Sequence, residues 1–235
     1  MNLADNVCIV TGASSGIGLA TAQALVENKA RTVLAARSYD KLEKLAGDLG
    51  GNALAVACDV RDEKSVRNLV TKTAERWNRI DILVNCAGLG HHINVAETSE
   101  DQWDETLDTN LKGIFLMCRE TLPHLTKRGG QIVNIASGAG YNGIAGMAAY
   151  CASKYGVVGF TESLALEVRN QNVRVCCLAP GSVRTDFGDA RSSDKKSYSL
   201  LPEEVAGVIL AVLKQPMQAW MSEVILRPLN MKLER

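Results

Sequence analysis

The stretch "TGASSGIG", Thr11–Gly18, follows the apolar run Val7-Cys8-Ile9-Val10 and leads into a segment whose apolar residues Leu19, Ala22, Leu25 and Val26 recur at helical spacing. Three glycines and two serines at a strand-to-helix corner point to a phosphate loop. Gly12 permits the tight turn, Gly16 lets the backbone approach a pyrophosphate, and Gly18 lets the helix sit close on the strand. The helix expected to begin near Ile17 aims its unpaired N–H groups and the positive end of its dipole at an anion. Ser14 and Ser15 share the loop. The spacing is G-x-x-x-G-x-G, one residue longer at the front than the usual dinucleotide fingerprint, and no Gly-Lys-Ser/Thr follows, which excludes a P-loop.

Working outward, apolar strand-like runs recur at 6–11, 31–36, 53–57, 82–85, 130–135, 173–179 and 224–227. Helical spacing separates them, as in Val66, Leu69, Val70 and Ala74. Asp62 before "EKSV" is a good N-cap, and Ser99 with Gln102 forms a capping box. Strands that are apolar on both faces and alternate with helices predict a parallel sheet covered on both sides, a doubly wound α/β fold. The 235 residues suit one domain, 1–235, with no composition break. The polar stretch "DFGDARSSDKKSYSL", 186–200, is expected to be a mobile loop over a site.

Composition excludes several classes. Apolar residues make up 46% of the chain, and 26 basic side chains balance 26 acidic ones, so charge gives no reason to expect nucleic acid or an anionic membrane as partner. No apolar run is long enough for a membrane span and no charged-then-apolar leader precedes Val7, which places the protein in the cytoplasm as an expectation. Seven cysteines, at 8, 58, 86, 118, 151, 176 and 177, show no Cys-x-x-Cys spacing and are expected to be buried, reduced thiols. His91 and His92 are adjacent, a poor spacing for two ligands of one metal, so no metal site is expected. They follow the fourth strand, facing either the substrate side or solvent. Trp77, Trp103 and Trp220, at helix-like positions, read as packing residues.

"AAYCASKYG" places Tyr150 and Lys154 four apart, on one face of a helix. Ser137 closes the strand "QIVNIAS" and so lies at a carboxyl edge, where parallel sheets bind ligands. The three groups have a coherent chemistry. A nearby ammonium favours the phenolate, so Lys154 would bring Tyr150 into working range; Ser137 can donate a hydrogen bond to a carbonyl oxygen while Tyr150 protonates it as hydride arrives at carbon. Tyr141, Asn142, Ile144 and Met147, between Ser137 and Tyr150, are candidates for the substrate wall.

With "TGASSGIG" at 11–18, "NCAG" at 85–88, Asn110 in "DTNLKG", Ser137, Tyr150-x-x-x-Lys154 and "PG" at 180–181, the chain resembles the short-chain dehydrogenases/reductases over nearly its whole length. The resemblance implies a seven-stranded Rossmann-type sheet, a cofactor half up to about residue 130 with a catalytic and substrate half after it, and a nicotinamide cofactor. It implies a Ser137–Tyr150–Lys154 triad, with Asn110 holding a water in a proton relay past Lys154, and Lys154 also holding the nicotinamide ribose. Asp59 and Val60 resemble the pair at the adenine; Asn85, Ala87 and Gly88 the stretch along its ribose and the sheet centre; Pro180, Gly181, Val183 and Thr185 the segment beside the carboxamide. Two departures stand out: Cys86 where a second Asn is common, and a short 186–201 segment, which suggests an open pocket or one completed by a neighbouring subunit. A homotetramer is expected, from the resemblance together with the apolar segments "SEVILRP" and "VVGFTESLALEV".

Arg37 sets the cofactor choice. At the end of "RTVLAAR" an NAD enzyme typically places an acid for the ribose 2′-hydroxyl. This chain has Ala36 and then Arg37, a cationic fork suited to a 2′-phosphate, with Ser14 as a second contact. Asp40 is a rival for the ribose but looks better placed to cap a helix from Lys41. The sequence therefore predicts NADP(H)-dependent reduction of a ketone or aldehyde; an apolar ketone, a sugar-like carbonyl and a carrier-bound 3-oxoacyl group all fit. The alternative, a non-catalytic NADP(H)-binding sensor of the same fold, would show a broken triad.

Overall fold

The computed structural model describes residues 2–185, 187, 199–216 and 218–229. Seven strands, β1 (Val7–Thr11), β2 (Arg31–Ala36), β3 (Ala53–Ala57), β4 (Ile82–Asn85), β5 (Gly130–Ile135), β6 (Val173–Pro180) and β7 (Glu223–Leu226), form one sheet in the order β3-β2-β1-β4-β5-β6-β7. Every pairing is parallel. Each crossover therefore carries helix: α1 (Gly16–Glu27), α2 (Tyr39–Leu49), α3 (Glu63–Trp77), α4 (Glu100–Leu107), α5 (Gly113–Leu125), α6 (Ala148–Val168) and α7 (Pro202–Leu213).

The strands read as continuous apolar runs because both faces are covered. In β1 the alternation sends Ile9 to one layer, with Leu69, Met117, Val157 and Leu164 of α3, α5 and α6. Cys8 and Val10 enter the other, with Leu25, Leu42 and Ile209 of α1, α2 and α7. Six of the seven cysteines are buried in these layers or beside them, and Cys86 is half-buried. Burial holds the Cys8, Cys58, Cys86, Cys118, Cys176 and Cys177 thiols above their ordinary pKa, so they behave as small apolar side chains.

Asp62 accepts from the N–H groups of Lys64 and Ser65, and Ser99 and Gln102 close their capping box. Asp40 does not cap α2. The helix begins at Tyr39 with Ser38 before it, so Asp40 sits in the first turn, where a carboxylate complements the helix dipole. Trp220 is not helical: it lies between α7 and β7, and its indole N–H donates to the Val175 carbonyl at 2.9 Å. The last strand is displaced by one residue from the expected 224–227, which puts Arg227 just past its carboxyl end. Of the 186–200 loop, 186 and 188–198 lie outside the described residues; Val183 pairs with Leu200, and the Ser182 and Ser199 hydroxyls meet at 2.9 Å, so the loop leaves and rejoins the fold at one place.

Candidate active site

Chain order reverses between β1 and β4, which opens a crevice at the carboxyl edge of the sheet. A cavity of about 1420 Å³ occupies it. Thr11 fixes its floor: the buried Thr11 Oγ accepts hydrogen bonds from the N–H groups of Cys86 and Ala87, both at 3.1 Å, binding the loop after β4 to the end of β1.

The phosphate loop has the close approaches its glycines suggest. Gly12 and Gly16 take left-handed backbone, at φ +66° and +53°. A Cβ on Gly18 would lie 2.3 Å from the Gly12 carbonyl oxygen, and one on Gly12 would lie 2.9 Å from Ala87 backbone. Ser15 precedes α1 with no side-chain cap, and no acidic residue occupies the first turn. An uncapped helix end in a cradle of glycines fits the pyrophosphate of a dinucleotide. Ser14, Ile17, Val60, Ala87 and Gly88 line the same end of the cavity.

Arg37 follows β2, lines the cavity and is exposed. Asp59 is held by Arg61, which reaches its Oδ2 at 2.7 Å and also bonds Glu105 at 3.2 Å. The Arg61 hydrogen bonds, with Arg37 contributing more weakly, hold the Asp59 carboxyl below the usual carboxylate range. Asp40 does not reach the cavity lining.

Ser137, Tyr150 and Lys154 converge midway along the rim. The Lys154 Nζ donates to the Ile135 carbonyl at 2.8 Å and lies 5.7 Å from the Tyr150 ring centroid. Burial pushes the lysine down to about 8. The phenol departs from the sequence argument: burial raises Tyr150 above its ordinary value, and the hydrogen bond with Ser137 offsets this only in part. Desolvation outweighs any pull from Lys154, whose own charge is disfavoured by the same burial. Tyr150 is thus kept protonated, the form a general acid needs.

Asn110 and Asn85 lie behind the cavity. Asn110 sits in a π-helical turn, Asp108–Lys112, and is fully buried. Its Oδ1 accepts from the Leu89 N–H, and its Nδ2 donates to the Leu89 carbonyl and to Ser153 Oγ. The side chain is a strut between the loop after β4 and α6. A Cβ on Gly88 would meet Asn110 Oδ1 at 3.2 Å and Lys154 Nζ at 3.7 Å, so these groups crowd the same point. Asn85 donates to Asn134 Oδ1 at 2.8 Å inside the sheet and does not line the cavity, a correction to its expected place along the ribose.

Of the four expected wall residues, Asn142, Ile144 and Met147 line the cavity. Tyr141 does not. It is turned to β6, where its hydroxyl lies 3.9 Å from Cys177 Sγ. His92 lines the cavity, and a Cβ on Gly146 would fall 2.8 Å from its Cε1; with Ile93 N–H donating to the Gly146 carbonyl, the two loops make one wall. His91 points elsewhere, with Nε2 3.6 Å from Glu105. Sequence reasoning missed Phe187, whose ring lies 5.5 Å from that of Tyr150, and the Ile225, Arg227 and Pro228 segment. Pro180, Gly181, Val183 and Thr185, after the neighbouring strand β6, also line the cavity.

The profile of the short chain dehydrogenase family matches residues 6–196. The chain is a short-chain dehydrogenase. It is 39% identical over 219 residues to the 3-oxoacyl-(acyl-carrier-protein) reductase of Homo sapiens, covering 90% of this chain and 92% of that one. It is 38% identical over 239 residues to the glycine betaine reductase ATRR of Emericella nidulans, covering 96% of this chain and 19% of that longer protein. Among solved structures, an alcohol dehydrogenase from Thermococcus sibiricus complexed with 5-hydroxy-NADP superposes with a TM-score of 0.89 at 30% identity, covering 98% of this short-chain dehydrogenase and 99% of that chain.

Proposed function

We propose that this chain transfers hydride between NADP(H) and a ketone or aldehyde, or the corresponding alcohol, with Ser137, Tyr150 and Lys154 as catalytic residues. The observation that carries the reading is their convergence on the rim of the cavity that begins at the uncapped end of α1. The alternative sensor reading has no broken triad to support it. A single dehydrogenase unit spans 1–235, with the cofactor half about 1–130 and the catalytic and substrate half about 131–235.

The bound nicotinamide would supply or accept the hydride at the carbonyl carbon. Gly12 through Gly18 and the N–H groups of α1 would hold the dinucleotide's pyrophosphate, Asp59 and Val60 would flank its adenine, and Pro180, Gly181, Val183 and Thr185 would face its carboxamide. In reduction, Ser137 donates a hydrogen bond to the substrate oxygen and Tyr150 gives that oxygen its proton. Lys154 would hold the cofactor's ribose and refill the phenol's proton. Asn110 acts by position, because its side-chain hydrogen bonds to Leu89 and Ser153 keep the loop and α6 in register.

A screen of ketones and aldehydes with both reduced cofactors tests this reading; turnover of at least one carbonyl with NADPH is expected, and none with either cofactor contradicts it. Because kcat/KM for NADPH reports the cofactor-free enzyme, its value in reduction should fall as pH rises through about 8, where burial has brought the Lys154 ammonium's titration. A profile flat across that range removes Lys154 from the proton path.

A homotetramer fits the surface. Phe115, Tyr155 and Leu166 on α5 and α6 are 41%, 50% and 54% exposed, and β7 is the edge strand of the sheet among the described residues. Sedimentation velocity at micromolar concentration should show a species of four chains; a stable monomer contradicts it. Among the described residues no helix is long and apolar enough to cross a membrane.

A further inference from the structure

Among the described residues four cationic side chains line the cavity, and three have evident duties. Lys154 donates to the Ile135 carbonyl, Arg61 is held between Asp59 and Glu105, and Arg37 stands at the end of β2. Arg227, just past β7, lines the cavity with no hydrogen bond or ion pair among the described residues. Among the described lining residues Asp59 is the one carboxylate, and Arg61 already holds it. Among the described residues, Arg227 thus brings a positive charge to the lining without a counterion.

Position separates Arg227 from the dinucleotide's phosphates. β2 and β7 are five strand spacings apart, roughly 24 Å, and β1 with its phosphate loop is four away, roughly 19 Å. β5, which delivers Ser137, is only two away, roughly 10 Å. The backbone at 227 is also fixed. The Gly181 N–H donates to the Leu226 carbonyl at 2.7 Å, and a Cβ on Gly181 would meet Pro228 Cδ at 2.9 Å. The lining also carries the apolar side chains Ile144, Met147, Phe187 and Ile225, of which Met147 and Phe187 pack with Tyr150.

We infer that Arg227 receives an anionic group of the substrate, so that the preferred substrates are carbonyl compounds with an apolar body and a carboxylate or phosphate several bonds from the reacting carbon. The inference rests on the carbonyl-oxidoreductase reading above. A guanidinium fork suits either oxyanion, and a flat apolar body suits the apolar side chains of the lining.

Calorimetric titration of the NADP+-loaded protein with 4-acetylbenzoate, 4-acetylphenyl phosphate and methyl 4-acetylbenzoate tests it. At least one anion should bind about 10-fold or more tighter than the neutral ester, and the stronger of the two anions identifies the group. In Arg227→Gln the advantage should vanish, and Arg227→Lys should restore part of it. Equal binding of ester and both anions overturns the inference, as does an anion advantage that survives Arg227→Gln. A loss of NADP+ affinity in Arg227→Gln as large as the loss of anion affinity also overturns it, by assigning Arg227 to the dinucleotide. Failure of the wild-type protein to load NADP+ refutes the parent reading, whereas loading without discrimination refutes this inference alone.

Discussion

Tyr150→Phe should lower kcat for carbonyl reduction by roughly 10²–10⁴ and leave NADPH binding in place. The substitution removes one oxygen from a buried ring whose packing is otherwise kept. The ring lies 5.5 Å from Phe187, and a Cβ on Gly90 would meet its Cδ2 at 2.9 Å; both contacts belong to ring carbons that Phe retains. The lost hydroxyl is the proton donor, and burial holds it in the protonated form. Of the remaining protic neighbours, Ser137 is a far weaker acid, and the Lys154 ammonium is tethered to the Ile135 carbonyl 5.7 Å from the Tyr150 ring centroid. Stopped-flow single turnovers separate the chemical step from product release. Near-normal turnover in the Phe variant would remove Tyr150 from the chemistry.

The second large effect concerns cofactor choice. Arg37→Ala should weaken use of NADPH roughly 10- to 150-fold and leave NADH nearly unchanged, because a hydrogen bond to a charged group contributes about 1.5–3 kcal/mol. Arg37 lines the cavity and forms no ion pair among the described residues, so its guanidinium is available to a phosphate. Asp59, the nearby acid, is occupied by Arg61 and does not repel one strongly. Ser14 lines the same end and can add a hydroxyl. Asp40, the rival for a ribose contact, is spent in the first turn of α2. The kcat/KM values for both cofactors read this out, and an equal loss with each would make Arg37 a stacking or structural group.

The parts of the fold that depend on period were legible. Strands at 31–36, 53–57, 82–85 and 130–135 have the bounds their apolar runs suggest, since a strand covered on both faces is apolar throughout. Side-chain direction was not legible. Asn85 pairs with Asn134 in register, and both amides turn into the core to meet each other. Asn110 needs Leu89 and Ser153, distant in sequence, to define its place. Tyr141 sits in the right stretch but faces Cys177, because the turn after Ser137 rotates it behind the sheet. Arg227 was overlooked as the closing residue of the expected 224–227 strand; β7 ends at Leu226, and Arg227 just past it lines the cavity at the carboxyl edge where ligands bind. The phenol's raised pKa was equally out of reach, because it follows from burial rather than from the four-residue spacing to Lys154.

The most direct test of the account is whether hydride moves from the cofactor to carbon in this cavity. Wild-type protein, NADPH deuterated at the nicotinamide C4 and a panel of ketones and aldehydes are incubated, and the alcohols are weighed by mass spectrometry. The account predicts an alcohol carrying one deuterium on the former carbonyl carbon. NADPH that binds but delivers deuterium to no carbonyl in the panel would contradict it.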